Sequence, residues 1–143
     1  MGCARRSGPP VSSIPLGGMS PDERIWSRIL VAFEAHRKRG VDADAQAALE
    51  RVAAKCLNSA EPIRLNPSNC SVREESLSSA ALRDLIVYHP RKSPQWSQGP
   101  IVILAARSCR VVIDGNNRVN LWLAEQAPGP FEAIVIVPND VAA

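Results

Sequence analysis

The segment Arg110-Val111-Val112-Ile113-Asp114-Gly115-Asn116-Asn117-Arg118-Val119 constrains this chain more than any other. A strongly apolar run stops at Asp-Gly, two asparagines follow, and an arginine leads into a new ordered stretch. Glycine enters left-handed backbone without a Cβ clash, so Asp114-Gly115 marks a tight turn. Two continuations are open. A β-hairpin fits, because Asp-Gly is a strong type I′ signal and Val119, Leu121 and Leu123 alternate. A helix also fits, because Val119, Trp122 and Leu123 fall at i, i+3 and i+4 and residues 124–127 are good helix formers. The helical spacing outweighs the alternation. Asn116 or Asn117 then caps the helix. Its first turn offers free N–H groups and the positive end of the dipole, and Arg118 adds a donor fork suited to phosphate or carboxylate. Chemically this is an anion pocket, with Gly115, Asn116, Asn117 and Arg118 as its binding residues.

The chain has 143 residues, enough for one modest domain and an appendage. Its net charge of +3 is unevenly spread. Residues 1–60 carry nine Lys/Arg and six Asp/Glu, whereas residues 61–143 carry eight of each. The half that holds the turn is neutral, which argues against a broad nucleic-acid face there. Cys3, Cys56, Cys70 and Cys109 are far apart and lack histidines at ligand spacing, so no zinc site is expected and free thiols in a reducing cytoplasm are. No apolar run is long enough to span a membrane. Arg5-Arg6 is not followed by an apolar segment, so no secretion signal is read, and Arg6 breaks the myristoylation pattern begun by Gly2.

Residues 1–19 are rich in Gly, Pro and Ser and read as a flexible tail. Residues 20–58 read as a helical hairpin. Ser20 caps the first helix, Pro21 suits its first position and Glu23 completes a capping box. Trp26, Ile29, Leu30 and Phe33 form its apolar stripe. Residues 36–39 (His-Arg-Lys-Arg) end it with cations at the negative pole, and Gly40 lies past the end. The plainer reading of this basic cluster is a solvated helix end. A second helix runs from about Asp44 to Leu57, with Ala45, Ala48, Leu49, Val52, Ala53 and Cys56 on one face. A DNA-reading helix-turn-helix is disfavoured, because residues 45–55 offer few side chains able to reach bases.

Residues 62–67 read as a short strand between two prolines, residues 68–76 as polar connection, and Leu77 to Ile86 as a helix. Tyr88 to Gly99 is read as loop, with His89 structural or exposed and Trp96 a packing residue. Residues 100–104 form a continuous apolar strand. Arg107-Ser108-Cys109 turns into the next strand, antiparallel to it because the link is short. Pro128-Gly129-Pro130 stops the helix that begins beyond Asp114, and residues 131–137 form a last strand, apolar on both faces. The layout is α+β: a small mixed sheet with helices packed on it, preceded by the helical hairpin.

The order of elements from about residue 61 to 138, with Pro-Ile-Val before one strand and Ile-Asp-Gly-x-x-Arg after the next, resembles the ParB/sulfiredoxin-like superfamily. In that group a strand runs into a Gly-x-x-Arg or Asp-Gly-x-His-Arg turn at a helix N-terminus, and the turn binds a nucleotide phosphate. Asp114, Gly115 and Arg118 match, and Asn117 stands where histidine is common. Asn116 occupies the place of the reactive cysteine of sulfiredoxins, so sulfinic-acid reduction is not expected. The helical pair precedes the fold rather than following it, so chromosome partitioning is not expected either.

The resemblance implies a nucleotide- or phosphate-binding protein, an NTPase or small-molecule phosphotransferase acting on CTP, ATP or ADP. Mg²⁺ ordinarily accompanies such chemistry by bridging phosphates to a carboxylate. Asp114 and Arg118 are the candidate catalytic residues at the turn, with Glu74 and Glu75 as candidate base or metal contacts. For Asp114 the plainer role is to brace the turn, and for the glutamates it is to suit a helix dipole. The alternative is a non-catalytic ligand-sensing or protein-binding module that docks a partner through the N-terminal helices. A nuclease or DNA-binding role has the least support.

Overall fold

The computed structural model describes residues 20–87, 99–106 and 108–139. The expected tail at 1–19, the segment 88–98 with His89 and Trp96, Arg107 of the expected turn and residues 140–143 lie outside the described residues. The described elements are α1 (Pro21–Gly40), α2 (Ala45–Cys56), β1 (Cys70–Leu77), α3 (Ser79–Arg83), β2 (Ile101–Ala106), β3 (Cys109–Asp114), α4 (Asn116–Ala124) and β4 (Phe131–Pro138). The fold is α+β, as expected.

The strands lie in the order β1-β4-β2-β3. β1 pairs antiparallel with β4, β4 parallel with β2, and β2 antiparallel with β3. The two inner strands are apolar on both faces, so both faces of the sheet need cover. Ile134 and Ile136 of β4, with Val102 and Leu104 of β2, face Trp26, Ile29 and Phe33 of α1 and Leu49 and Ala53 of α2. Phe131, Ala133 and Val135 of β4, with Ile101 and Ile103 of β2, face Leu82 and Val119 on the other side. The helical hairpin therefore shares a core with the sheet.

Helix α1 begins with the expected capping box. The Glu23 amide donates to Ser20 Oγ at 3.1 Å and the Ser20 amide donates to Glu23 Oε1 at 2.8 Å. Asp44 caps α2 by accepting from the Ala47 amide at 2.8 Å. Arg51 of α2 clamps the corner between the helices. It makes paired bonds to the Asp42 carboxylate and donates to the His36 carbonyl at 3.2 Å.

Several expectations require correction. Residues 62–67 are not a strand. Pro62 and Pro67 lack the amide that a ladder needs, and Leu65 is instead held by α2. Its amide donates to Glu50 Oε2 at 2.9 Å and its carbonyl accepts from Gln46. The expected polar connection at 68–76 contains most of β1. This is an edge strand whose Cys70 and Val72 meet one core and whose Leu77 meets the other, with charged residues between. The helix expected over 77–86 is the short α3, because Leu77 closes β1 and Ile86 bridges to Val111 at the edge of β3. Gly40 is the last residue of α1, and Val41 takes the left-handed position beyond it, with φ 56° and ψ 43°.

Val41 is 89% exposed, so its side chain gains little burial to offset that backbone. Left-handed backbone costs an L-residue roughly 1–2 kcal/mol, part of which glycine returns through its freer unfolded chain. Val41→Gly is expected to stabilise the protein by about 1 kcal/mol. The check is the urea midpoint, which should rise at unchanged slope; an unchanged or lower midpoint contradicts this account.

Candidate anion site at the β3–α4 turn

Strand β3 carries one residue more than its partner at the end where the chain leaves the sheet. Val102 pairs with Asp114 and Ile103 with Val112, so Ile113 is extra. A bulge of this kind re-aims the side chains beside it. Val112 packs on the α4 side, Ile113 packs in the α1–α2 core, and Asp114 also reaches towards α1. Gly115 then turns the chain with φ 102°. A Cβ there would stand 2.5 Å from Ile101 Cγ2 and 3.1 Å from Arg118 Nη2. Only glycine lets the backbone pass between β2 and the guanidinium.

The chain continues as helix, not hairpin, and the first intrahelical bond runs from the Val119 amide to the Gly115 carbonyl at 3.0 Å. Gly115 is itself the cap residue, and no side chain caps α4. The expectation that Asn116 or Asn117 caps the helix is corrected. Asn116 lies inside α4, and its side-chain Nδ2 donates back to the Val112 carbonyl at 3.0 Å. Asn117 is half-buried in the first turn. The first-turn amides have no carbonyl partner within the helix, as at any helix N-terminus.

Arg118 folds back over this N-terminus and is 9% exposed, while Asp114 is 4% exposed. Arg118 Nη1 donates to the Gly99 carbonyl. Its Nη2 lies 3.8 Å from Asp114 Oδ2, close enough for charge attraction and too far for a hydrogen bond. Among the described residues Arg118 Nε and Nη2 and Asp114 Oδ2 are buried with no hydrogen-bond partner. The guanidinium carbon stands 6.0 Å from the centroid of Trp122, which stacks on Phe131. Burial pulls the Arg118 guanidinium below its ordinary value, with Asp114 acting in the opposite direction.

A residue that sequence reasoning missed completes the cluster. His36 of α1 places Nε2 2.8 Å from Asp114 Oδ1. Its Nδ1 lies 3.2 Å from Arg39 Nη2. A guanidinium can only donate, so Nδ1 accepts, and Nε2 carries the proton that it gives to Asp114. The ring stacks on buried Phe33, with centroids 4.7 Å apart. A signal was present in the sequence. His36 continues the stripe of Trp26, Ile29 and Phe33 at helical spacing, although it stands in what reads as a solvated basic end.

Glu74 and Glu75 lie in β1, where neighbours point to opposite faces. Glu74 pairs with Arg28 of α1. Glu75 accepts from Arg110 at 2.8 and 3.1 Å and also pairs with Arg73. None of these contacts involves Asp114 or Arg118. A cavity of about 340 Å³ is lined by Glu74, Glu75, Glu132 and Arg28, and its acidity suits no phosphate. A resident magnesium ion does not fit the turn. Asp114 gives one oxygen to His36 and turns the other to a guanidinium, where a divalent ion needs several oxygen ligands. Among the described residues no three His, Cys, Asp or Glu side chains cluster to hold a metal. No helix among them is long and apolar enough to cross a membrane.

Comparison of the chain with family models, curated proteins and solved structures returns no match.

The Glu75–Arg110 pair makes stability depend on pH. Arg110, with Arg73 adding to it, holds the Glu75 carboxyl down at about 2, against an ordinary 4.5. A carboxyl lowered on folding stabilises fully above its unfolded value and loses that contribution as pH falls through the folded one. Glu75→Gln should therefore flatten the acid loss of stability between pH 4.5 and 2. Urea midpoints of both proteins across that window check this, and parallel profiles contradict it.

Proposed function

We propose that the protein binds a nucleotide through its phosphate group at the β3–α4 turn, in the manner that its resemblance to ParB/sulfiredoxin-like proteins implies. The observation that carries this reading is Arg118. A buried guanidinium, with two nitrogens that lack partners among the described residues, sits beside the positive end of a helix. Each unsatisfied buried donor costs about 1–3 kcal/mol, a large part of a folding margin of roughly 5–15 kcal/mol. A phosphate oxygen set between Arg118 and the first-turn amides removes that cost and answers both positive charges. Arg39 lies one imidazole away from the same cluster and adds positive potential on the α1 side.

The site favours binding over turnover. The Asp114 carboxylate is held by His36 and faces Arg118, so it is poorly placed to hold a metal or take a proton from an attacking group. The ligand-sensing reading is therefore preferred to the NTPase or phosphotransferase reading. Docking of a protein partner through the N-terminal helices has less support, because Trp26, Ile29 and Phe33 are buried against the sheet.

Thermal unfolding with CTP, ATP, ADP and GTP, with and without Mg²⁺, tests the proposal. A bound nucleotide at a hundredfold excess over its dissociation constant adds about 2.7 kcal/mol to stability. At least one nucleotide should raise the wild-type midpoint and leave Arg118→Lys nearly unmoved, since lysine cannot reproduce the fork. Released phosphate would favour the enzyme. No shift with any nucleotide, or an equal shift in the lysine variant, overturns the phosphate site.

A further inference from the structure

The pairing of His36 with Asp114 has a consequence for the anion site. Asp114 and Arg118 are four residues apart, and their side chains come within 3.8 Å. A carboxylate and a guanidinium at that range ordinarily close into a two-bond pair. Here they do not. Asp114 Oδ1 is taken by His36 Nε2 at 2.8 Å, and Oδ2 stays short of Arg118 Nη2. The imidazole is itself held in place: it stacks on Phe33 and faces Arg39 through Nδ1, and the backbone carbonyl of His36 accepts from Arg51 at 3.2 Å.

We infer that His36, carried on the N-terminal helical hairpin, is a positioning residue for the anion site: by holding Asp114 it keeps the chain's own carboxylate from occupying the Arg118 guanidinium that an external phosphate would take. This rests on the phosphate-binding reading above and extends it by making α1 part of the site. Loss of the imidazole N–H frees Asp114 Oδ1, and the carboxylate turns onto Arg118 Nη2 and Nε. The pocket is then filled by an internal anion. An external phosphate must displace it, and binding weakens although no residue that touches the ligand has changed. The hairpin docked on the sheet is the binding-competent state, so ligand affinity reports whether α1 is in place.

The test is calorimetric titration of the full chain with inorganic phosphate and with ADP. His36→Phe keeps the stack on Phe33 and removes the N–H. His36→Gln returns an amide N–H near the position of Nε2. Asp114→Asn removes the competing anion. His36→Phe is expected to weaken binding about tenfold, and His36→Gln to stay within about threefold of wild type. In the Asp114→Asn background, His36→Phe should change affinity less than about twofold. Wild-type binding with equal affinity in all the His36 variants overturns the inference and leaves the phosphate site standing. So does an equal loss from His36→Phe with Asn at position 114. Absence of wild-type binding overturns both.

Discussion

Two inner strands with apolar side chains on both faces set the terms for this molecule. β2 and β4 leave no face of the sheet that can meet water, so each side must be covered. The hairpin of α1 and α2 covers one side, and α3 with α4 covers the other. The candidate site lies at the seam between these layers, where β3 leaves the sheet. The extra residue Ile113 turns Asp114 towards the hairpin, and Gly115 returns the chain to the opposite layer as α4. Groups from both layers therefore converge on one volume: His36 from α1, Asp114 from β3, and Arg118 from α4.

The charges in that volume are not balanced in the way a purely structural cluster would balance them. A guanidinium is buried next to the positive end of a helix, and the Asp114 carboxylate beside it bonds to an imidazole instead. Removing a charge from water is expensive, and structural ion pairs offset the expense with close, well-satisfied geometry. Glu75 and Arg110 show what such a pair looks like in the same protein, with two bonds and a carboxyl held well below its usual range. Among the described residues Arg118 has no comparable arrangement, and that contrast is what supports reading it as a binding group.

Much of this was legible in the residues. The apolar runs at 101–104 and 110–113, the Asp-Gly turn, the helix led by Arg118 and the strand from Phe131 are long or sharply bounded signals. The capping box at Ser20 and Glu23 fixed the start of α1 to the residue. What escaped has identifiable physical reasons. β1 is an edge strand with Arg73, Glu74 and Glu75 at its centre, so it lacks the apolar alternation of a half-buried strand. Residues 62–67 alternate as a strand would, but the Leu65 amide and carbonyl are met by Glu50 and Gln46 rather than by a neighbouring strand. The cap of α4 is Gly115 because the backbone must pass close to Ile101, a contact invisible in sequence. His36 lies 78 residues from Asp114, and no local pattern joins them. The sequence leads to the expectation of an anion site at the turn; it does not reveal that a helix from the N-terminal hairpin lies against that turn.

The central claim is that Arg118 is held open for an anion rather than satisfied within the fold. Its side-chain Nε–H and the backbone amides of Asn117 and Arg118 can be followed directly by ¹⁵N–¹H NMR as inorganic phosphate or ADP is added. The account predicts that these three signals move together and saturate along one binding curve, with the Arg118 Nε–H displaced downfield as it gains an acceptor. Saturable shifts elsewhere with these three unmoved, or an Nε–H already downfield and unresponsive in the free protein, would contradict it.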